Sequence, residues 1–150
     1  MFKKVLTLAA AAIFGFAANA QISDFPYTQG FENGLDGWTI VDADGDGFNW
    51  MLVSNNNESG NYSVNSGNYA IASESWTAAG ESGIALTPDN WLISPAITLG
   101  EGLSLVWYDA AQDADYAAEH YSVLISTTDS LTASFTTSLA DITISSADFT

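Results

Sequence analysis

The chain has 150 residues, 47% of them hydrophobic, with 18 Asp plus Glu against 2 Lys plus Arg and a formal charge of −16. Both cations, Lys3 and Lys4, lie in the first four residues, which excludes nucleic acid as a partner, because that binding rests on cations that neutralise phosphates. The absence of cysteine further excludes disulfides, a thiol nucleophile and thiolate metal sites.

The first element in chain order is a leader. A short basic stretch is followed by an almost unbroken apolar run over residues 5–18, and Ala18-Asn19-Ala20 forms a small-x-small cleavage site. This pattern predicts a secretory signal peptide over residues 1–20, and therefore a secreted or cell-surface protein. The apolar run is too short to span a bilayer comfortably and lacks a charged stop-transfer flank, so no membrane insertion is expected. Cleavage would remove both lysines and take the formal charge from −16 to −18. Residues 21–150 then form one domain large enough to bury a core. Eighteen carboxylates without a cation among them oppose compaction. Bound divalent cations relieve that repulsion, which makes calcium a physical expectation.

The rest reads as short strands between turn-rich segments. Phe25, Tyr27, Gln29 and Phe31 alternate with Pro26, Thr28, Gly30 and Glu32, and further strands are expected at residues 38–41, 48–53, 69–73, 91–99, 103–108, 121–127 and 142–145. Residues 54–68, rich in Asn, Ser and Gly, form a long loop. Both faces of 103–108 carry apolar residues, as in a central strand. Many short strands with Gly, Asn and Asp turns predict an all-β jelly-roll sandwich. Residues 21–150 are expected to lack the last strands of that sandwich, as the first part of a longer protein.

Asp42-Ala43-Asp44-Gly45-Asp46-Gly47 sets three carboxylates at alternate positions in a glycine-containing loop. Calcium takes six to eight oxygens, and alternating Asp with backbone carbonyls can wrap it while glycine permits the tight curve. An EF-hand would need a bidentate Glu at the twelfth position, but Val53 stands there and the flanks are strand-like. The competing reading is an Asp-Gly hairpin turn that only faces solvent.

The succession FENG, LDGWTIVDADGDGFNW, SGNYAIASESW, PDNWLISPAI and DYAAEHYSVLIST resembles the cleaved adhesin domain of gingipain and haemagglutinin regions. It is also similar to choice-of-anchor modules and, more distantly, to MAM domains. The resemblance covers residues 25–127. It implies a MAM-like or galactose-binding-like jelly roll, structural calcium, and adhesion outside the cell. Carried over, it implies a metal set of Glu32 with Asp42, Asp44 and Asp46. Such domains continue into an aspartate-bearing final strand, which this sequence does not show.

Asp109, Asp113, Asp115 and Glu119 form a second acidic group. It reads either as another cation site, where the resemblance gives Asp115 and Glu119 a role, or as a solvated loop. Asp89 reads as a turn residue in Pro-Asp-Asn. His120 stands alone, with neither a thiol nor a Gly-x-Ser-x-Gly elbow to serve, and reads as structural. Trp38, Trp50, Trp91 and Trp107 lie in strand patterns, whereas Trp76 lies in a loop, where an indole can stack on a sugar ring or anchor a protein partner. The sequence therefore predicts a non-enzymatic, calcium-stabilised module that binds carbohydrate or an extracellular host or matrix protein. The rivals are a glycoside hydrolase built on a jelly roll and an accessory domain of a larger secreted protease.

Overall fold

The computed structural model describes residues 21–56, 62–78 and 83–150. The expected signal peptide and the centre of the long polar loop, residues 57–61, lie outside the described residues. The fold is all-β. In chain order the strands are β1 (Gln21–Ile22), β2 (Thr39–Asp42), β3 (Trp50–Ser54), β4 (Tyr69–Ser73), β5 (Trp76–Thr77), β6 (Ile84–Ala85), β7 (Asn90–Ile93), β8 (Ala96–Ile97), β9 (His120–Ile125) and β10 (Thr137–Thr143). The helical content of the described residues is two 3-10 turns, Ala114–Tyr116 and Thr132–Ser134.

Hydrogen bonding groups these strands into five two-stranded ladders. Four are antiparallel: β2 with β7, β3 with β4, β5 with β6, and β9 with β10. The fifth, β1 with β8, is parallel and sets Gln21 against Ala96. Period-two alternation explains the β3–β4 pair: Val53, only 2% exposed, points inward while its neighbour Leu52 faces out. The buried apolar residues among those described are Ile22, Val53, Ile93, Pro95, Ala111 and Ala117. Three of these, Ile22, Val53 and Ile93, sit in strands, so the ladders supply half of the core.

Departures from the expected strands have local causes. Pro95 has no N–H to give to a ladder, so the long strand expected at 91–99 is split into β7 and β8. Residues 25–31 form no strand. Phe31 adopts φ of 59°, a left-handed conformation, and its N–H is taken by Gln29 Oε1 at 2.8 Å instead of a neighbouring strand. Residues 103–108 are not a central strand either: they run straight and exposed, without a ladder partner among the described residues. The last ladder starts earlier than the apolar pattern indicates, because Thr137 and Ser138 already pair with Ile125 and Leu124 before a bulge at Leu139.

Candidate metal centre and its surroundings

The acidic loop leaves the end of β2 and enters β3 after residues 43–49. Its ends are fixed by the β2–β7 ladder, where Asp42 faces Asn90, and by Ala43 N–H donating to Asp89 O at 3.0 Å. Within the loop the carboxylates order the backbone. Asp42 Oδ1 accepts from Gly45 N–H at 2.6 Å and Oδ2 from Gly47 N–H at 3.0 Å, while Asp46 Oδ1 accepts from Phe48 N–H at 2.8 Å. Asp44 reaches across the ladder, where its Oδ2 accepts from Asp89 N–H at 3.2 Å. These side-chain-to-backbone bonds are the natural local chemistry of Asp in turns. The solvent-facing hairpin reading omits the tie to Asp89.

One carboxylate oxygen from each of Asp42, Asp44 and Asp46 lies within 4.8 Å of the others. The neighbouring Asp44 carboxyl, and after it the N–H groups of Gly47 and Gly45, hold Asp42 below the usual carboxylate range. The three carboxylates repel one another, and past Lys4 the chain has no Lys or Arg to balance them. Each carboxylate oxygen has two lone pairs, so those that already accept a backbone bond keep capacity for a cation. Asn90, the register partner of Asp42 in the β2–β7 ladder, carries an orphaned oxygen. Its Oδ1 is buried without a hydrogen-bond partner, while its Nδ2–H donates to Ser73 Oγ at 3.1 Å. Three converging carboxylates are the kind of hard oxygen donor that suits a divalent cation such as calcium.

Two indoles brace this region. Trp50 Nε1–H donates to Asn90 O at 3.1 Å, and Trp91 Nε1–H donates to Asp89 Oδ1 at 2.7 Å. Asp89 thus does more than turn the chain. Its backbone holds the acidic loop and its carboxylate holds an indole, a role spread over two elements that a local motif does not reveal.

Glu32 stands apart from the three aspartates. Its Oε1 accepts from Asn68 N–H at 2.9 Å and Tyr69 N–H at 3.0 Å, and its Oε2 from Asn68 Nδ2–H at 3.3 Å. The backbone bonds, that of Asn68 first, lower its pKa. The carboxylate lies so close to Gly67, at φ of 73°, that a Cβ there would collide with it. Glu32 therefore fastens the chain entering β4, and the group of converging acids contains Asp42, Asp44 and Asp46 without it.

The second acidic group does not converge among the described residues. Asp113 caps the 3-10 turn by accepting from Asp115 N–H at 2.9 Å, and Glu119 Oε1 accepts from Ser75 Oγ at 2.5 Å. Asp115 and Glu119 thus belong to different contacts. The Glu119 bond instead ties residue 75, next to Trp76, to the segment before β9. Trp76 is 54% exposed, and its indole lies against Gly83 across the β5–β6 pair. His120 Nε2 pairs with Asp141 of β10, a cross-strand contact. Among the described residues no helix is long and apolar enough to cross a membrane.

Comparison with known proteins places this arrangement. The Cleaved Adhesin Domain family profile matches residues 26–150. Gingipain R1 of Porphyromonas gingivalis is 43% identical over 119 residues, covering 78% of this chain and 7% of that protein. Hemagglutinin A of the same species is 40% identical over 110 residues, covering 73% of this chain and 5% of that protein. The chain thus spans a small part of the length of these relatives. The crystal structure of a cleaved adhesin domain of Lys-gingipain from Porphyromonas gingivalis superposes with a TM-score of 0.66 at 43% identity, over 77% of this chain and 66% of that one. By profile, sequence and fold together, the chain belongs to the cleaved adhesin domain family.

Proposed function

We propose that this domain is a secreted adhesion module whose loops are held by calcium and which binds carbohydrate or a host or matrix protein. The observation that carries the calcium reading is the convergence of Asp42, Asp44 and Asp46 in one loop. Asp42, Asp44 and Asp46 would hold the ion, with backbone or water oxygens completing the six to eight that calcium takes. Bound calcium would offset the charge of the loop. Fixed loops then present side chains to a ligand at low entropic cost. The haemagglutinin among the relatives supports an adhesive role, and the jelly-roll sandwich expected from the sequence is part of this reading.

Trp76 is the side chain we assign to the ligand. Its exposure and its seat against Gly83 offer a flat apolar face beside polar groups. A glycoside hydrolase would need two carboxylates roughly 5 to 9.5 Å apart across a cleft. Here the converging acids are engaged by backbone N–H groups in one loop, and the family is that of an adhesin domain. Its presence in long gingipain chains favours service as a non-catalytic part of a larger secreted protein.

Thermal unfolding in excess calcium and in EDTA tests the first half of the proposal. Calcium at about 100 times its dissociation constant is expected to add roughly 2.7 kcal/mol, and Asp44→Asn should abolish the shift. Equal midpoints in both conditions would remove calcium from the reading. Glycan and matrix-protein arrays, probed with the parent and with Trp76→Ala, test the second half. Binding by the parent that survives in the variant would remove Trp76.

A further inference from the structure

The chain has three Asp–Gly bonds, at residues 36–37, 44–45 and 46–47. Such bonds are the most reactive aspartyl links in a polypeptide, because glycine has no side chain to shield its nitrogen from the carboxyl group of the residue before it. That nitrogen can close on Cγ to form a five-membered imide. Closure needs a nitrogen whose N–H is not engaged and a carboxyl group able to swing toward it. In the acidic loop neither is free. Asp42 Oδ1 holds Gly45 N–H at 2.6 Å and Oδ2 holds Gly47 N–H at 3.0 Å. The reacting carboxyl groups are engaged as well, Asp44 by Asp89 N–H at 3.2 Å and Asp46 by Phe48 N–H at 2.8 Å.

Asp36–Gly37 is built differently. Trp38 N–H donates to Leu35 O at 2.9 Å, and the two residues between them have φ of 42° and 85°, a type I′ turn with its preferred Asp-Gly pair. The hydrogen bond that closes this turn uses neither Gly37 N–H nor the Asp36 carboxylate. Both residues are exposed, and among the described residues neither group has a hydrogen-bond partner. The neighbouring Asn33–Gly34 bond again has its nitrogen held, because Gly34 N–H donates to Phe31 O at 3.0 Å.

We propose that Asp36–Gly37 is a modification site, where the main chain isomerises spontaneously to a β-aspartyl linkage while Asp42 keeps the two Asp–Gly bonds of the acidic loop in their original form. The step needs no co-reactant other than water. Gly37 N bonds to Asp36 Cγ, and its proton leaves with the carboxyl hydroxyl as one water. Water then opens the imide. Opening at Cγ restores the original chain, whereas opening at the Asp36 main-chain carbonyl leaves the peptide bond on Cγ and a free carboxylate on Cα. One water leaves and one enters, so mass is unchanged. The product carries one more methylene in the main chain, directly before Trp38. The indole of Trp38 donates to the Tyr27 hydroxyl at 3.3 Å and packs edge-on against Phe31 at 5.7 Å, and the next residue, Thr39, opens β2, which ends at Asp42. Isomerisation therefore alters the turn that feeds the acidic loop. This inference depends on neither calcium nor Trp76.

Incubating the full chain at neutral pH in heavy-oxygen water tests this, with EDTA present so that bound calcium plays no part. Each imide opening leaves one heavy oxygen at its own residue, and electron-transfer fragmentation of chymotryptic peptides distinguishes β-aspartyl from aspartyl links. Label and β-aspartyl link should accumulate at residue 36 at least about tenfold faster than at 44 or 46, the factor expected when a hydrogen bond must first be broken on each reacting group. In denaturant the three bonds should react at similar rates. Asp42→Ala frees Gly45 and Gly47 N–H and should raise the rates at 44 and 46 by at least about threefold while leaving residue 36 unchanged. Asp36→Ser should remove the fast product. Deamidation at Asn33 releases ammonia and is read separately. Equal rates at the three bonds in the folded chain, or no β-aspartyl link at 36, overturn the proposal. Unchanged rates at 44 and 46 in folded Asp42→Ala overturn the protective part assigned to Asp42. If Asp42→Ala does not fold, the denatured parent supplies the comparison, and rates at 44 and 46 no faster there than in the folded chain overturn that part.

Discussion

The acidic loop and the extended segment at residues 103–108 are both exposed, but they order their backbones in opposite ways. In the loop, Asp42 and Asp46 satisfy main-chain donors two to five residues away, and Asp44 satisfies one across the ladder at Asp89. At residues 103–108, apolar side chains have nothing to offer the backbone, and its N–H and C=O groups have no protein partner among the described residues. A polar loop can carry its own hydrogen bonds. An extended apolar segment needs a neighbouring strand to do so.

If that contrast is sound, the loop side should respond strongly to perturbation and the extended segment weakly. The largest effect expected is the calcium-dependent rise in midpoint, equivalent to roughly 2.7 kcal/mol at about 100 times the dissociation constant, and lost in Asp44→Asn. Next is Val53→Ala, which empties the most buried position of the β3–β4 pair and should cost about 2 kcal/mol in denaturant unfolding. Acid comes third. Glu32 and Asp42 have lowered folded-state pKa values, so their contribution is present above the unfolded carboxylate range of about pH 4 and is lost as pH falls through the lower folded values. In calcium-free buffer the midpoint should be level from about pH 7 to 5 and fall below about pH 4, with a shallower fall in Glu32→Gln. Smallest in stability is Trp76→Ala, expected within about 0.5 kcal/mol of the parent because the indole is largely exposed. A large loss there would make Trp76 a packing residue.

The basic side of the titration sharpens the same contrast. Burial, and after it the bond to Asp109, push the Tyr121 phenol up to about 12. Its contribution is intact below the ordinary tyrosine range near pH 10 and is lost as pH rises through the folded value. Ultraviolet titration should show a tyrosine step near pH 12. In Tyr121→Phe that step should vanish, and Trp107 Nε1–H should lose its acceptor.

The parts legible in the sequence were those set by neighbours along the chain. Residues 69–73 alternate cleanly and form β4, and the Asp-x-Asp-x-Asp spacing brings three carboxylates together because a tight loop leaves them few other places to go. What escaped depends on partners far away. Glu32 is held by residues 36 and 37 positions later, a contact that no local pattern announces. Residues 103–108 have the pattern of a buried strand, but burial requires a partner strand, and pattern alone does not supply one. The tie from Ser75 to Glu119 crosses 44 residues and joins two unremarkable polar side chains.

The two indole bonds at the acidic loop have an optical consequence. Trp50 is bonded to the carbonyl of Asn90, and Trp91 to the carboxylate of Asp89, whose own N–H is held by Asp44. Any change in charge at Asp44 is therefore one residue removed from an indole N–H, and the emission of these two tryptophans becomes a built-in dye for the state of the loop. Titrating calcium while recording the fluorescence of Trp50→Phe and Trp91→Phe would separate their signals, and the larger change should belong to Trp91.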